Sequence, residues 1–211
     1  MLANALAGDP FGYRVYVADC DAQQSLIRRR LADQRERPDD PAPYKVEHLN
    51  IATLQREISV LDKQNDFVFI DLPGRLDSTS ADDQHTIAKY LQYPDFLLLP
   101  FTPGNYSLES TLDYLRFAIK VRQQRSTTPR QLNVFGFVNL YEGRTLDDRV
   151  LLEEIAELQT MVNVPFIVSR LQRFALFRNV DTFTSFYDPT TTDKAKANFT
   201  TFLNELKNEL I

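Results

Sequence analysis

Five short runs of Val, Ile, Leu and Phe, at residues 14–19, 67–71, 96–100, 132–139 and 164–168, constrain this chain more than any other feature. They are apolar on both faces, which suits strands inside a parallel sheet rather than half-wet antiparallel ones. Between them lie segments with helical spacing, at about 23–32, 51–63, 80–91, 107–124 and 146–160. Parallel neighbours need a crossover, so this alternation implies βαβ units and a doubly wound α/β fold, a mostly parallel sheet flanked by helices. A last helix at 192–210 lines up Phe199, Phe202, Leu203, Leu206 and Leu210 on one face. Glu205 and Glu209 offset Lys207 there, so the stripe is expected to dock on the protein's own core and not on a membrane. The segment RERPDDPAP, residues 35–43, reads as a loop.

At 211 residues the expectation is one domain, over residues 1–211. No stretch is apolar for the roughly 18 residues a membrane span needs, and the first residues lack a basic region and a cleavage signature. A cytoplasmic protein is the simplest reading. Cys20 is the only cysteine, which excludes a disulfide framework or a multi-cysteine metal site within one chain. The net charge of −5 argues against a generally basic nucleic-acid binder and leaves room for a local basic patch.

In sheets of this kind ligands bind beyond the carboxyl ends of the strands. The first strand ends in Asp19, with Asp21 just beyond and Gln23 and Gln24 following. The second ends FVFIDLPG, with Asp71 at its tip and Gly74 in the next turn. A strand ending in Asp with a glycine three residues on has the Walker B form, in which the carboxylate holds Mg²⁺ through water. Strand-end aspartates also cap helices, so Asp71 alone reads equally well either way. A cap on the following helix explains one of Asp19 and Asp21, but not both. Asn139 ends the fourth strand, in FGFVNLYEGRT.

Taken in order, these segments resemble the ParA/MinD group of deviant Walker P-loop ATPases, on its ParA partition branch. YRVYVADCDAQQSL is similar to that group's strand ending in D-x-D followed by Gln, and FVFIDLPG to its Walker B. DFLLLPFTPGNYSLEST, FVNLYEGRTLDDRV and FYDPTTTDKAKANFTTFLNEL resemble its next strand and loop, its Tyr-acid-Gly-Arg-Thr turn and its C-terminal ending. The resemblance implies a P-loop NTPase-like fold and an ATPase serving plasmid, chromosome or conjugative-element partition. It implies a homodimer sandwiching ATP and Mg²⁺, bound to DNA without sequence preference and released when a partner protein stimulates hydrolysis. Residue by residue, Asp21 would orient the attacking water, Asp19 would sit near Mg²⁺ and order the site, and Asp71 would hold Mg²⁺ through water. Gly74 would face a terminal phosphate and Asn139 would read the adenine edge. Adenine is favoured over guanine, because a guanine site wants Asn-Lys-x-Asp and Asn139 precedes Leu140, Tyr141 and Glu142. Arg170, Arg173 and Arg178 are the candidates for DNA contact, against a solvated helix face as the plainer reading. A second basic run, Arg28–Arg30, follows the D-x-D turn and reads equally well as ordinary surface.

One part of the pattern is missing. A P-loop needs converging glycine amides and a lysine, and none of the six glycines belongs to such a motif. The expectation is therefore that the native protein extends upstream of Met1, carrying the P-loop and the first strand of the sheet. That strand would lie beside the Walker B strand, and its absence leaves two unpaired backbone ladders. The alternative is a ParA-like interaction protein without a competent nucleotide site. A membrane-cycling relative would need a basic amphipathic C-terminus, and an iron-protein relative would need paired cysteines. Neither is present.

Overall fold

The computed structural model describes residues 1–72, 81–127 and 130–210. The chain divides into two compact units, one of Met1–Arg75 with Asn179–Tyr187, the other of Leu76–Arg178 with Asp188–Ile211. Each is an α/β unit built on a three-stranded parallel sheet. The fold class expected from the alternating runs is therefore observed, with the six strands of the described residues distributed over two sheets.

In the first unit β1 (Val15–Asp19), β2 (Lys45–His48) and β3 (Phe67–Asp71) pair in the order β2-β1-β3. All five β1 residues are buried, as a central strand with both edges paired requires. Among the described residues β3 is paired on one side only, and Phe67–Ile70 are half-buried. Around them lie α1 (Leu2–Ala7), α2 (Ser25–Glu36) and α3 (Ile51–Gln64). The side chain of Asn50 caps α3 by accepting the Thr53 amide at 2.9 Å. Helix α2 starts at Ser25, two residues later than its periodicity suggests, because Gln24 takes a left-handed conformation (φ 53°).

The segment Asn179–Tyr187 is held in this unit by side chains distant in sequence. Arg30, expected on the surface, is buried; its guanidinium donates to Thr182 Oγ1 and to the carbonyls of Thr182 and Tyr44, and it stacks 4.4 Å from the Tyr44 ring centroid. Asp33 accepts the Thr182 amide at 2.7 Å and its hydroxyl at 2.9 Å. Asn4 donates to the carbonyls of Asp181 and Thr184, and Arg37 pairs with Asp181. Burial of a guanidinium is tolerable because each of its three nitrogens donates to an oxygen and aromatic rings lie against its face.

In the second unit β4 (Phe96–Phe101), β5 (Asn133–Val138) and β6 (Phe166–Ile167) pair in the order β4-β5-β6. Helices α4 (Ala81–Tyr90), α5 (Asn105–Arg125), α6 (Leu146–Met161) and α7 (Lys194–Leu210) complete it, with a short 3-10 turn at Ala175–Asn179. As its stripe predicts, α7 buries Phe199, Phe202, Leu203 and Leu206, with the Phe202 ring 5.2 Å from Phe137. Each such side chain contributes roughly 1.5–3 kcal/mol when taken fully out of water. Gly136 in β5 is required by close approach: a Cβ there would lie 2.4 Å from the Phe166 ring. Among the described residues no helix is long and apolar enough to cross a membrane.

Candidate functional site

Parallel pairing sets the carboxyl ends of the first unit's strands in register, so that His48, Asp19 and Asp71 form a row across β2, β1 and β3. Register partners project to the same face of a sheet. Asp19 is fully buried and both its carboxylate oxygens are engaged, one by the Asp21 amide at 3.2 Å and the other by the Ile27 amide at 3.0 Å. Ile27 lies in the first turn of α2, so Asp19 supplies the N-terminal cap that Gln24 does not. Asp21 accepts the Gln23 amide with one oxygen at 2.9 Å. The turn from Asp19 to Ser25 is thus ordered by the two acids together, and each also satisfies local backbone.

Asp71 differs. Its backbone carbonyl accepts the Cys20 amide at 2.9 Å, but its carboxylate has no hydrogen-bond partner among the described residues. Partial desolvation, and after it the charges of Asp19 and Asp21, hold this carboxyl above its ordinary range. The side chain is exposed, so solvent screens part of that effect. Burial first, then the charges of Asp19 and Asp71, push the Cys20 thiol up to about 12, which leaves it protonated and unreactive. His48 belongs to the rim although it was not anticipated. Its Nδ1 lies 2.9 Å from the Asp19 carbonyl, which can only accept, so Nδ1 is the donor of that bond.

Among the described residues no three His, Cys, Asp or Glu side chains are arranged to ligate a metal directly. The donor set instead fits a hard divalent cation held through water: one open carboxylate on Asp71, one oxygen of Asp21, and a buried charge on Asp19. Asp19 can act there only through its charge, since its oxygens are occupied. Gly74 lies outside the described residues.

The second unit carries the other predicted residues. Asn139 follows β5, and its amide donates to the Phe101 carbonyl at 2.8 Å. Its half-buried side-chain amide has no polar partner among the described residues. Beyond it Leu140 adopts a positive φ of 56°, and a bridge between Tyr141 and Gln172 lays the two segments side by side. A polar cleft of about 590 Å³ opens there, lined by Tyr141, Glu142, Arg144, Gln172, Arg173 and Arg178. Arg173 and Arg178 are two of the three arginines expected from the sequence, the third, Arg170, does not line the cleft, and Arg144 is an addition. Arg170 lies behind the cleft, its guanidinium 4.9 Å from the Tyr141 ring centroid and 3.1 Å from the Tyr141 hydroxyl.

The turn bearing Glu142 and Arg144 is fixed by Asp148. That buried carboxylate accepts the amides of Glu142, Gly143 and Thr145 and the Thr145 hydroxyl, at 2.6–3.2 Å, and completes a capping box on α6. Burial alone would raise its pKa, but the hydroxyl and the three amides outweigh it and hold the carboxyl below its usual range. Arg144 and Arg178 have no hydrogen-bond or ion-pair partner among the described residues, and Arg173 pairs with Glu142 at 2.7 Å. Three guanidinium groups against one carboxylate give the cleft an excess of positive charge.

No family model and no curated protein matches the sequence. Solved structures do. A cobyrinic acid a,c-diamide synthase from Mycobacterium smegmatis superposes with a TM-score of 0.62 at 17% identity, over 99% of this chain and 87% of that one. A partition protein superposes with a TM-score of 0.58 at 17% identity, over 95% of this chain and 64% of that one. The present chain thus spans less than two thirds of the partition protein, and at this identity the likeness concerns fold alone. The parallel α/β fold implied by the ParA/MinD resemblance is the fold this chain has.

Proposed function

We propose that this chain is a ParA-type partition ATPase, in which Mg²⁺ and ATP hold two copies together, the dimer binds DNA without sequence preference, and hydrolysis stimulated by a partner protein releases it. One observation carries the reading: Asp19, Asp21 and Asp71 lie together at the tips of adjacent parallel strands, and the Asp71 carboxylate, crowded by the other two, has no hydrogen-bond partner among the described residues. Such crowding is unfavourable unless a cation is to be received. In this scheme Mg²⁺ supplies charge neutralisation for the terminal phosphates when bound. Asp71 would hold it through water, Asp19 would order the turn and add charge, and Asp21 would orient the attacking water with its free oxygen. Asn139, whose side-chain amide has no polar partner among the described residues, would read the adenine edge. Arg173 and Arg178, joined by Arg144, would contact DNA phosphates, while Arg170 would brace Tyr141.

A complete triphosphate site also needs a glycine-rich loop, which none of the six glycines supplies. The edge of β3 that has no strand partner among the described residues is where a strand bearing such a loop would add. That missing loop favours a second reading, a ParA-like interaction protein without a competent nucleotide site. Hydrolysis and gel filtration with Mg²⁺ and ATP separate the two. The ATPase reading expects Asp21→Ala to slow hydrolysis strongly, leave ATP binding intact and accumulate dimer. The second expects no ATP-dependent dimer in either protein, and normal hydrolysis by Asp21→Ala would remove Asp21 from the mechanism.

A further inference from the structure

We infer that Glu142 is an internal occupant of the phosphate position on Arg173, and that a DNA phosphate binds the cleft by displacing it. The inference rests on the DNA reading of this cleft and names the residue that regulates its affinity. Glu142 Oε1 lies 2.7 Å from an Arg173 Nη, within the range of a charge-assisted hydrogen bond. Both side chains remain 43–51% exposed, so water and incoming anions reach the pair. The other two guanidinium groups of the cleft, on Arg144 and Arg178, are unpaired among the described residues. One of three phosphate receptors is therefore already filled by a carboxylate of the chain's own. Glu142 is also carried by a turn that does not need its side chain, because Asp148 binds its backbone amide at 3.2 Å. The carboxylate can swing off Arg173 without disturbing the turn.

Two quantities follow. Exposed ion pairs contribute about 0.2–1 kcal/mol, so abolishing this one should tighten phosphate binding about 1.4- to fivefold. Each phosphate neutralised on B-DNA steepens the dependence of log K on log salt by about 0.9. In the native protein the displaced Glu142 takes up a cation as Arg173 gains a phosphate, which cancels part of that slope. Glu142→Gln should restore it, steepening the slope by up to about 0.9.

The test is fluorescence anisotropy with a short random-sequence duplex between about 50 and 200 mM salt, on the native chain, Glu142→Gln, Arg173→Ala, Arg178→Ala and the Glu142→Gln/Arg173→Ala double variant. Equal melting temperatures exclude misfolding of the exposed Glu142 variant. Tighter binding and a steeper slope in Glu142→Gln, both lost in the double variant, are expected. Unchanged affinity in Glu142→Gln, while Arg173→Ala and Arg178→Ala weaken binding, overturns the inference and leaves the DNA reading standing. A gain that persists without Arg173 overturns it too, since Glu142 would then act through its general field. Absence of duplex binding in the native chain, with no effect of the arginine variants, defeats the DNA reading and this inference together.

Discussion

Replacing Asp71 by Asn should make this protein more stable, because the acid rim is unfavourable in the absence of a cation. Asp71 and Asp19 are register partners on adjacent strands, with Asp21 just beyond. Strands in a sheet lie about 4.8 Å apart, and at that separation two unit charges repel by about 1 kcal/mol in a water-like dielectric and several times more in a protein-like one. Asp71 is exposed, so the lower figure applies after screening, and removing its charge should stabilise by about 0.5–1 kcal/mol. For a chain of this length that is a rise in Tm of about 1–4 °C. The pH dependence has a definite sign. A carboxyl whose folded pKa is raised opposes folding above that pKa and is neutral below its unfolded value near 3.9. The advantage of Asp71→Asn should therefore be full at pH 7 and vanish by about pH 3.5. Mg²⁺ should narrow the gap from the other side, by stabilising the native protein more than the variant. Thermal melts at both pH values, with and without Mg²⁺, read all three effects. An Asp71→Asn variant that melts lower than the native protein at pH 7 would refute the reasoning, as would a gain that persists in acid.

Two further perturbations probe the scaffold of the second unit. Asp148→Asn removes a charge that four donors share, and should destabilise by about 1–3 kcal/mol in denaturant unfolding. Because the folded pKa of Asp148 is depressed, its contribution is present above the ordinary carboxylate range and is lost as pH falls through the folded value; native and variant stabilities should converge in acid. Gly136→Ala places a methyl against the Phe166 ring and should cost about 1–3 kcal/mol, partly recovered in the Gly136→Ala/Phe166→Leu double variant; a fully stable single variant would contradict the packing.

Much of the architecture was legible because burial on both faces leaves a continuous apolar run. VYVAD, buried at all five positions, announces β1 in this way, while FVFID and FLLLPF are equally apolar runs although β3 is half-buried and β4 alternates in burial. By contrast β2, KVEH, was invisible: it is an edge strand with only Val46 buried, and no run that short and mixed stands out. With β2 went His48 and its place in the rim. The clasp on Asn179–Tyr187 was equally hidden, since Arg30, Asp33 and Asn4 reach residues about 150–180 positions away. Arg30 looked like surface because charge in a sequence does not reveal its partner. The candidate site was half readable. Strand-end acids identify the rim from the sequence, but not that both oxygens of Asp19 are spent on backbone amides. Arg173 and Arg178 stood out in a basic stretch, whereas Arg144 sits alone in a turn whose geometry depends on Asp148.

Calorimetric titration of the chain with ATP, in the presence and absence of Mg²⁺, tests most directly whether the crowded acids receive a metal-bound triphosphate. The expected result is binding that requires Mg²⁺ in the native chain and is lost in Asp71→Asn. Equal binding by both proteins, or no heat from the native chain at any Mg²⁺ concentration, would contradict it.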